Sequence, residues 1–301
     1  MVWNPSEGFD LGFIMLRFYS LMFVVAFGLG WYIMKGIYTR EGQSIEKLDN
    51  LFVYTVVATL VGARLGHVFF YDWAYFSQHP LEILLPIRET ADGWEFTGFA
   101  GLASHGAAIA IIIVMYFYSK KVVQKPILWI LDRVVIPVAS GAIFVRLGNF
   151  FNSEIVGKET SSSFGIRFIR DKFNPREAFE KTNISDVNQA YKAIETNPQF
   201  SEVLAEVTPK HPAQLYEAFG YVFVFAILFY MYWKTDARNK QGLLFGTFLV
   251  LLWTVRFIVE YVKESQGGFE ESLGLLSTGQ WLSIPFVLAG LFFMIRAKKT
   301  I

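Results

Sequence analysis

Seven apolar stretches, near residues 11–35, 48–71, 98–119, 127–150, 212–234, 242–263 and 280–297, constrain this chain more than any other feature. Each is close to the roughly 20 residues that an α-helix needs to cross about 30 Å of hydrocarbon. The pattern predicts an all-α integral membrane protein with seven transmembrane helices. Composition agrees, since 53% of the 301 residues are hydrophobic, only 18% are charged and the mean hydropathy is +0.38, whereas a soluble domain carries about 25% charged residues. Residues 1–16 contain no Lys or Arg, and no short apolar core leads to a small-residue cleavage site, so the first stretch is expected to stay as a span. Cysteine is absent, which excludes a disulfide framework, a Cys-ligated metal and a thiol nucleophile of the chain's own.

Orientation follows from where the positive charges fall between stretches. Lys35, Arg40 and Lys47 follow the first, Lys120, Lys121 and Lys125 the third, Lys234, Arg238 and Lys240 the fifth, and Arg296, Lys298 and Lys299 the last. The short opposite segments offer only Arg88 and Lys263. The N-terminus is therefore expected outside and the C-terminus in the cytoplasm. Three parts follow: residues 1–150 with four spans and an outer loop at 72–97, an external head segment at 151–211, and residues 212–301 with three spans. The head segment holds a strand-like Phe164–Phe168 and a helix start at Asn174-Pro175, an N-cap followed by proline at the first helical position. The outer loop carries Trp73, Phe76, Trp94 and Phe96, which suit the headgroup level.

Placed by depth, the polar residues of the spans gather toward one leaflet. Arg17 and Tyr19 fall in the outer half of the first span, Arg64 and His67 in that of the second, and His105 near the outer end of the third. Arg146 and Asn149 close the fourth, His211, Gln214 and Glu217 open the fifth, and Arg256 with Glu260 lie at the outer end of the sixth. A charge at mid-bilayer costs about 2.5–3.5 kcal/mol, so such residues normally face a bundle interior or a wet cavity.

Each feature also has a purely structural reading. Arg256 and Glu260, four residues apart, can be an internal ion pair. Arg146 and Asn149 can cap a helix end or snorkel to the interface. His105, among Gly101, Ala103, Ser104 and Gly106, can be a packing histidine in a tight helix contact, and His79 is read as a turn residue. The coincidence of three arginines, a histidine and two carboxylates at one depth favours a site. Arginines without an acidic metal-binding cluster suit a phosphate, which the guanidinium fork pairs bidentately, and in a leaflet that phosphate is a phospholipid headgroup. A neighbouring histidine can take a proton near neutral pH. No histidines stand at metal-ligand spacing, and a net charge of +1 leaves no nucleic-acid footprint.

The segments Arg146-Leu147-Gly148-Asn149-Phe150 through Asn152 and Glu154, His105-Gly106, His211-Pro212-Ala213-Gln214-Leu215-Tyr216-Glu217 and Arg256-Phe257-Ile258-Val259-Glu260, in this order on seven spans, resemble the prolipoprotein diacylglyceryl transferase family of the bacterial inner membrane. The resemblance covers nearly the whole chain. It implies transfer of the diacylglyceryl group of phosphatidylglycerol to the lipobox cysteine of a preprolipoprotein, with glycerol phosphate released, at the outer leaflet and without a metal or other cofactor. It further implies catalytic roles for His105, Arg146, Arg256 and Glu260, lipid-binding roles for Arg146, Asn149, Glu154, Asn152, Tyr19 and Arg64, and supporting roles for His211, Gln214, Tyr216 and Glu217.

Two departures from the family pattern stand out. Ala100-Gly101-Leu102 and Gly106-Ala107 lack glycines usual around the histidine, and Leu252 replaces a tyrosine one turn before Arg256. The competing reading is a lipid or headgroup transporter, although transporters tend to place their sites at the midplane between repeats, and no repeat is evident here.

Overall fold

A computed structural model describes residues 1–12, 15–85, 87–90, 93–96, 101–265 and 274–299. Helices dominate: α1 (Phe18–Arg40), α2 (Ile45–Phe70), α3 (Ser104–Tyr118), α4 (Ile127–Phe151), α5 (Pro175–Thr182), α6 (Val187–Thr196), α7 (Ala213–Lys234), α8 (Leu243–Val259) and α9 (Thr278–Arg296). Among the described residues six helices are long and apolar enough to cross a membrane, the third counted as His105–Val123, while α8 is a shorter apolar helix. Helices suit this role because each satisfies its own backbone hydrogen bonds where no water is available to do so.

The first helix begins later than its apolar run suggests. Gly8–Asp10 pairs antiparallel with Met15–Arg17, after Gly12 takes a left-handed φ of +83°, so Arg17 is not in the helix. Its side chain is largely exposed, 3.9 Å from Glu7. The expected span at 98–119 starts on residues 98–100, Ala100 among them, which lie outside the described residues, as does the side chain of Phe96. The described helix begins at Ser104.

The chain packs as two compact units. In the unit Met34–Ile130, α2 and α3 meet through glycines. A Cβ on Gly66 would stand 2.6 Å from the Gly106 Cα, and one on Gly62 would stand 2.7 Å from the Gly106 carbonyl oxygen. This is the small-residue contact by which membrane helices bring their backbones together. The Tyr38 and Tyr118 hydroxyls share a 2.7 Å hydrogen bond at the other end of the unit.

The second unit comprises Met1–Ile33 and Leu131–Ile301. Here α8 and α9 cross at Gly246 and Gly290. The start of α8 has no cap of its own, because Gly242 offers no side chain. The buried Asp132 carboxylate on α4 supplies one, accepting from the Gly242 and Phe245 backbone N–H groups at 2.7 and 2.8 Å. Between α4 and α7, residues 169–207 form a helical cluster around Ile169, Phe173, Ala178, Ala190, Tyr191 and Ile194. Asn174 starts α5 with a full capping box against Glu177, as the sequence predicts. Val2–Trp3 runs parallel to Arg167–Phe168, and the Trp3 indole donates to the Phe150 carbonyl at 2.9 Å.

Lys210 ties the cluster to the chain beyond α8. Its ammonium bonds Asp171 at 2.7 Å and Glu264 at 3.1 Å, while its backbone exchanges hydrogen bonds with Ile166. Burial alone lowers the pKa of this ammonium, but the hydrogen bonds and charges of Asp171 and Glu264 outweigh burial and hold it above its ordinary value.

Candidate active site

The site in the larger unit starts at the end of α4. Arg146 and Asn149, three residues apart, share a helix face, and Arg146 Nη1 donates to Asn149 Oδ1 at 3.1 Å. Asn149 Nδ2 donates in turn to Glu154 Oε1 at 2.8 Å, and Asn152 Nδ2 reaches the same oxygen at 3.5 Å. The carboxylate can fold back beneath the helix because the backbone reverses sharply after α4. Glu154 N bonds the Asn149 carbonyl at 3.0 Å, and both Ser153 and Ile155 adopt left-handed conformations, with φ of +55° and +58°. Such values are costly for non-glycine residues, most of all a β-branched one, and backbone strain of this kind concentrates at functional sites. Gly148 leaves room for Tyr19, whose ring would stand 3.0 Å from a Cβ at that position.

From α7 come Gln214 and Glu217, one turn apart and both buried. Gln214 Nε2 donates to the Glu154 carbonyl at 2.6 Å, and Glu217 Oε2 forms an ion pair with Arg146 Nε. One turn further, the buried Tyr221 lies in the field of Glu217, Arg146 and Arg256. His211 and Tyr216 share a 3.2 Å hydrogen bond just ahead of this group. Asn152 and Glu154 also border a hollow of about 300 Å³ that Glu7, Arg17, Phe151 and Tyr191 help to line.

The end of α8 shows no Arg256–Glu260 ion pair of the kind their spacing allows. Glu260 bonds Lys263 instead, at 3.4 Å, and its carboxylate packs where a Cβ on Gly279 would be. Arg256 lies over the Trp253 ring, 5.5 Å from its centroid. Its Nε is buried with no hydrogen-bond partner, and among the described residues no ion pair engages it. By sequence Lys263 counts only toward topology, yet it is only 4% exposed and feels Glu217, Glu260, Arg256 and Arg146 together. Three cations, Arg146, Arg256 and Lys263, thus share one neighbourhood with Glu217 and Glu260. Ser153 and Tyr221 were also missed. The left-handed turn that buries Ser153 has no sequence signal, and Tyr221 was legible only as one more turn along the Gln214/Glu217 face.

The unit Met34–Ile130 holds Arg64, His67 and His105. Arg64 is committed to its own unit, donating to the carbonyls of Ile83 at 2.8 Å and Glu82 at 2.5 Å and lying 4.6 Å from the Phe76 ring centroid. Phe76 is therefore buried, whereas Trp73 and Trp94 are exposed. His67 occupies the space a Cβ on Gly101 would need. His105 is exposed on α3, its ring against Phe70 and Tyr71 at 5.2 and 5.5 Å. Gly106, not His105, makes the tight helix contact. Among the described residues no group of three His, Asp or Glu is placed to hold a metal.

Comparison with known proteins gives the family. The sequence profile of the prolipoprotein diacylglyceryl transferase family matches residues 7–296. The phosphatidylglycerol–prolipoprotein diacylglyceryl transferase of Tolumonas auensis is 37% identical over 99% of this chain and 98% of its own length. The protein of the same name from Chloroherpeton thalassium is 35% identical over 99% and 94%, and that from Porphyromonas gingivalis 40% identical over 93% and 88%.

Proposed function

This chain belongs to the prolipoprotein diacylglyceryl transferase family, and on that premise we propose how its residues divide the work. The reaction is transfer of the diacylglyceryl group of phosphatidylglycerol to a prolipoprotein, the first step of lipoprotein maturation. The acceptor is the thiol of the lipobox cysteine. Its sulfur attacks the glycerol carbon, the C–S bond forms, and the bond from that carbon to the phosphate oxygen breaks. Glycerol phosphate leaves with the bonding electrons.

The observation that carries this assignment is the half-buried Arg256 guanidinium, its Nε buried without a hydrogen-bond partner and no ion pair on it among the described residues, close to Arg146 and Lys263. As the diester becomes a monoester the phosphate gains negative charge. Cations held in place beforehand bind that transition state better than the ground state, which lowers the barrier. Glu260 restrains Lys263, Glu217 and Asn149 orient Arg146, and Asn149, Asn152 and Glu154 with Tyr19 hold the headgroup. His211, Gln214 and Tyr216 support these groups from α7. Arg64 acts by fixing the outer loop. The thiol, with a free pKa of about 8.5, attacks as the thiolate, and the exposed imidazole of His105 is the assigned proton acceptor.

In the same reading all seven apolar helices, α8 included, span the bacterial inner membrane with the N-terminus outside. Residues 151–211 then lie outside as a head segment, and the cations face the outer leaflet.

The test incubates the purified protein with phosphatidylglycerol and a lipobox peptide, following peptide mass and released glycerol phosphate beside a folded Arg146→Ala control. Coupled products that vanish in the control are expected. Lipid binding without either product would favour the transporter.

A further inference from the structure

Arg146, Arg256 and Lys263 suit a phosphate, but positive charge alone does not distinguish one anionic phospholipid from another. Three oxygen atoms on residues that border Arg146 and Glu154 are of a different kind. Gln214 Oε1, Glu217 Oε1 and Ser153 Oγ are each buried without a hydrogen-bond partner. Their side chains are nonetheless held: Gln214 through Nε2 to the Glu154 carbonyl, Glu217 through Oε2 to Arg146, and Ser153 by the reversed backbone between Asn152 and Glu154.

A buried polar atom left unpaired is costly, and Ser153 adds the cost of its left-handed conformation. The cost of the unpaired oxygens is recovered when a donor arrives. An amide oxygen and a carboxylate oxygen only accept, while a serine hydroxyl does either. A matching ligand therefore brings protons to donate as well as a phosphate. An ammonium headgroup would bring them with a positive charge against three cations, whereas neutral hydroxyls bring them without that repulsion.

We propose that Gln214 Oε1, Glu217 Oε1 and Ser153 Oγ read the free hydroxyls of the headgroup glycerol and so select phosphatidylglycerol among anionic lipids. This inference rests on the transferase reading above.

The test uses the full-length protein with two lipids of identical acyl chains and charge, phosphatidylglycerol and phosphatidylpropanol, the second lacking both headgroup hydroxyls. For the unmodified protein kcat/KM should favour phosphatidylglycerol by about 10²-fold or more, because a site built to bond a hydroxyl rejects the analogue that lacks it. Ser153→Ala, which removes no hydrogen bond seen in the structure, should shrink that ratio about tenfold, as should Gln214→Leu. Partial misfolding lowers both rates and leaves the ratio alone. As a second readout, Ser153→Ala should not lower the unfolding temperature measured without lipid.

Equal turnover of the two lipids by the unmodified protein would overturn the proposal. So would variants that slow both lipids in proportion, or a loss of lipid-free stability in Ser153→Ala. No product from phosphatidylglycerol at all would instead refute the transferase reading itself.

Discussion

Replacing Arg146 should have two consequences that a second substitution can separate. The guanidinium pairs through Nε with Glu217, whose side chain is 1% exposed, and through Nη1 with Asn149. Arg146→Met leaves the Glu217 carboxylate buried and uncompensated, which costs about 3–5 kcal/mol of stability. It also removes a preorganised cation from the leaving phosphate, lowering turnover by about 10²–10³. In Arg146→Met/Glu217→Gln both charges are gone, and a neutral pair of similar volume is close to energetically neutral. Most of the lost stability should therefore return while turnover stays low. Thermal unfolding in detergent and kcat/KM for lipidation of a lipobox peptide, measured on all three proteins, decide the matter. If turnover recovered along with stability in the double variant, Arg146 would be a structural partner of Glu217 and the electrostatic argument would be wrong. Near-normal turnover of Arg146→Lys would likewise refute the need for a forked, bidentate cation.

Gly66→Ala should destabilise the α2–α3 contact by about 1–3 kcal/mol through overpacking, because the new Cβ would stand 2.6 Å from the Gly106 Cα; a lower melting temperature checks it. Asp132→Asn, which keeps one good acceptor where the carboxylate serves two backbone N–H groups, should cost about 1–3 kcal/mol in the same assay. Lys210→Ala should lose about 1–2 kcal/mol of stability by removing the link between Asp171 and Glu264. Because the folded-state pKa of Lys210 is raised, its contribution is fully present below the ordinary lysine value and fades only as pH rises through the raised one; the difference between the two proteins should accordingly be flat across neutral pH and shrink only in strong alkali. The chain has no cysteine of its own, so Ser162→Cys should react with a membrane-impermeant thiol reagent added to intact spheroplasts; labelling only after lysis would overturn the assigned orientation.

How far the sequence could be read differs from helix to helix. The run 127–150 matches Ile127–Phe151 almost residue for residue, since a long apolar stretch with polar residues at its end states its own limits. The run beginning at 11 misleads because Met15 and Leu16 are apolar yet pair with Asp10 and Phe9 as short strands on either side of Gly12; hydropathy reports solubility in lipid and not backbone conformation. Arg146, Asn149 and Glu154 were legible as a group because six of the nine positions from 146 to 154 are polar, charged or glycine at the close of an apolar helix. The partner of each charge was not legible. Spacing of four residues offered Arg256 to Glu260, but the chain turning after Val259 carries Lys263 back to that carboxylate. Likewise Glu217 meets Arg146 from a helix more than sixty residues away in the chain.

The sequence by itself determined which runs are apolar enough for a membrane, which charged residues lie within or beside those runs, and through its motifs which family it joins. These are properties of residue type and local order, and transfer free energy is set locally. Only the tertiary structure decided which charges neutralise one another, which buried oxygens lack partners, and that Lys263 belongs with Arg146 and Arg256. Coulomb and hydrogen-bond energies depend on distances of a few ångströms between residues remote in sequence, and those distances exist only once the helices have packed.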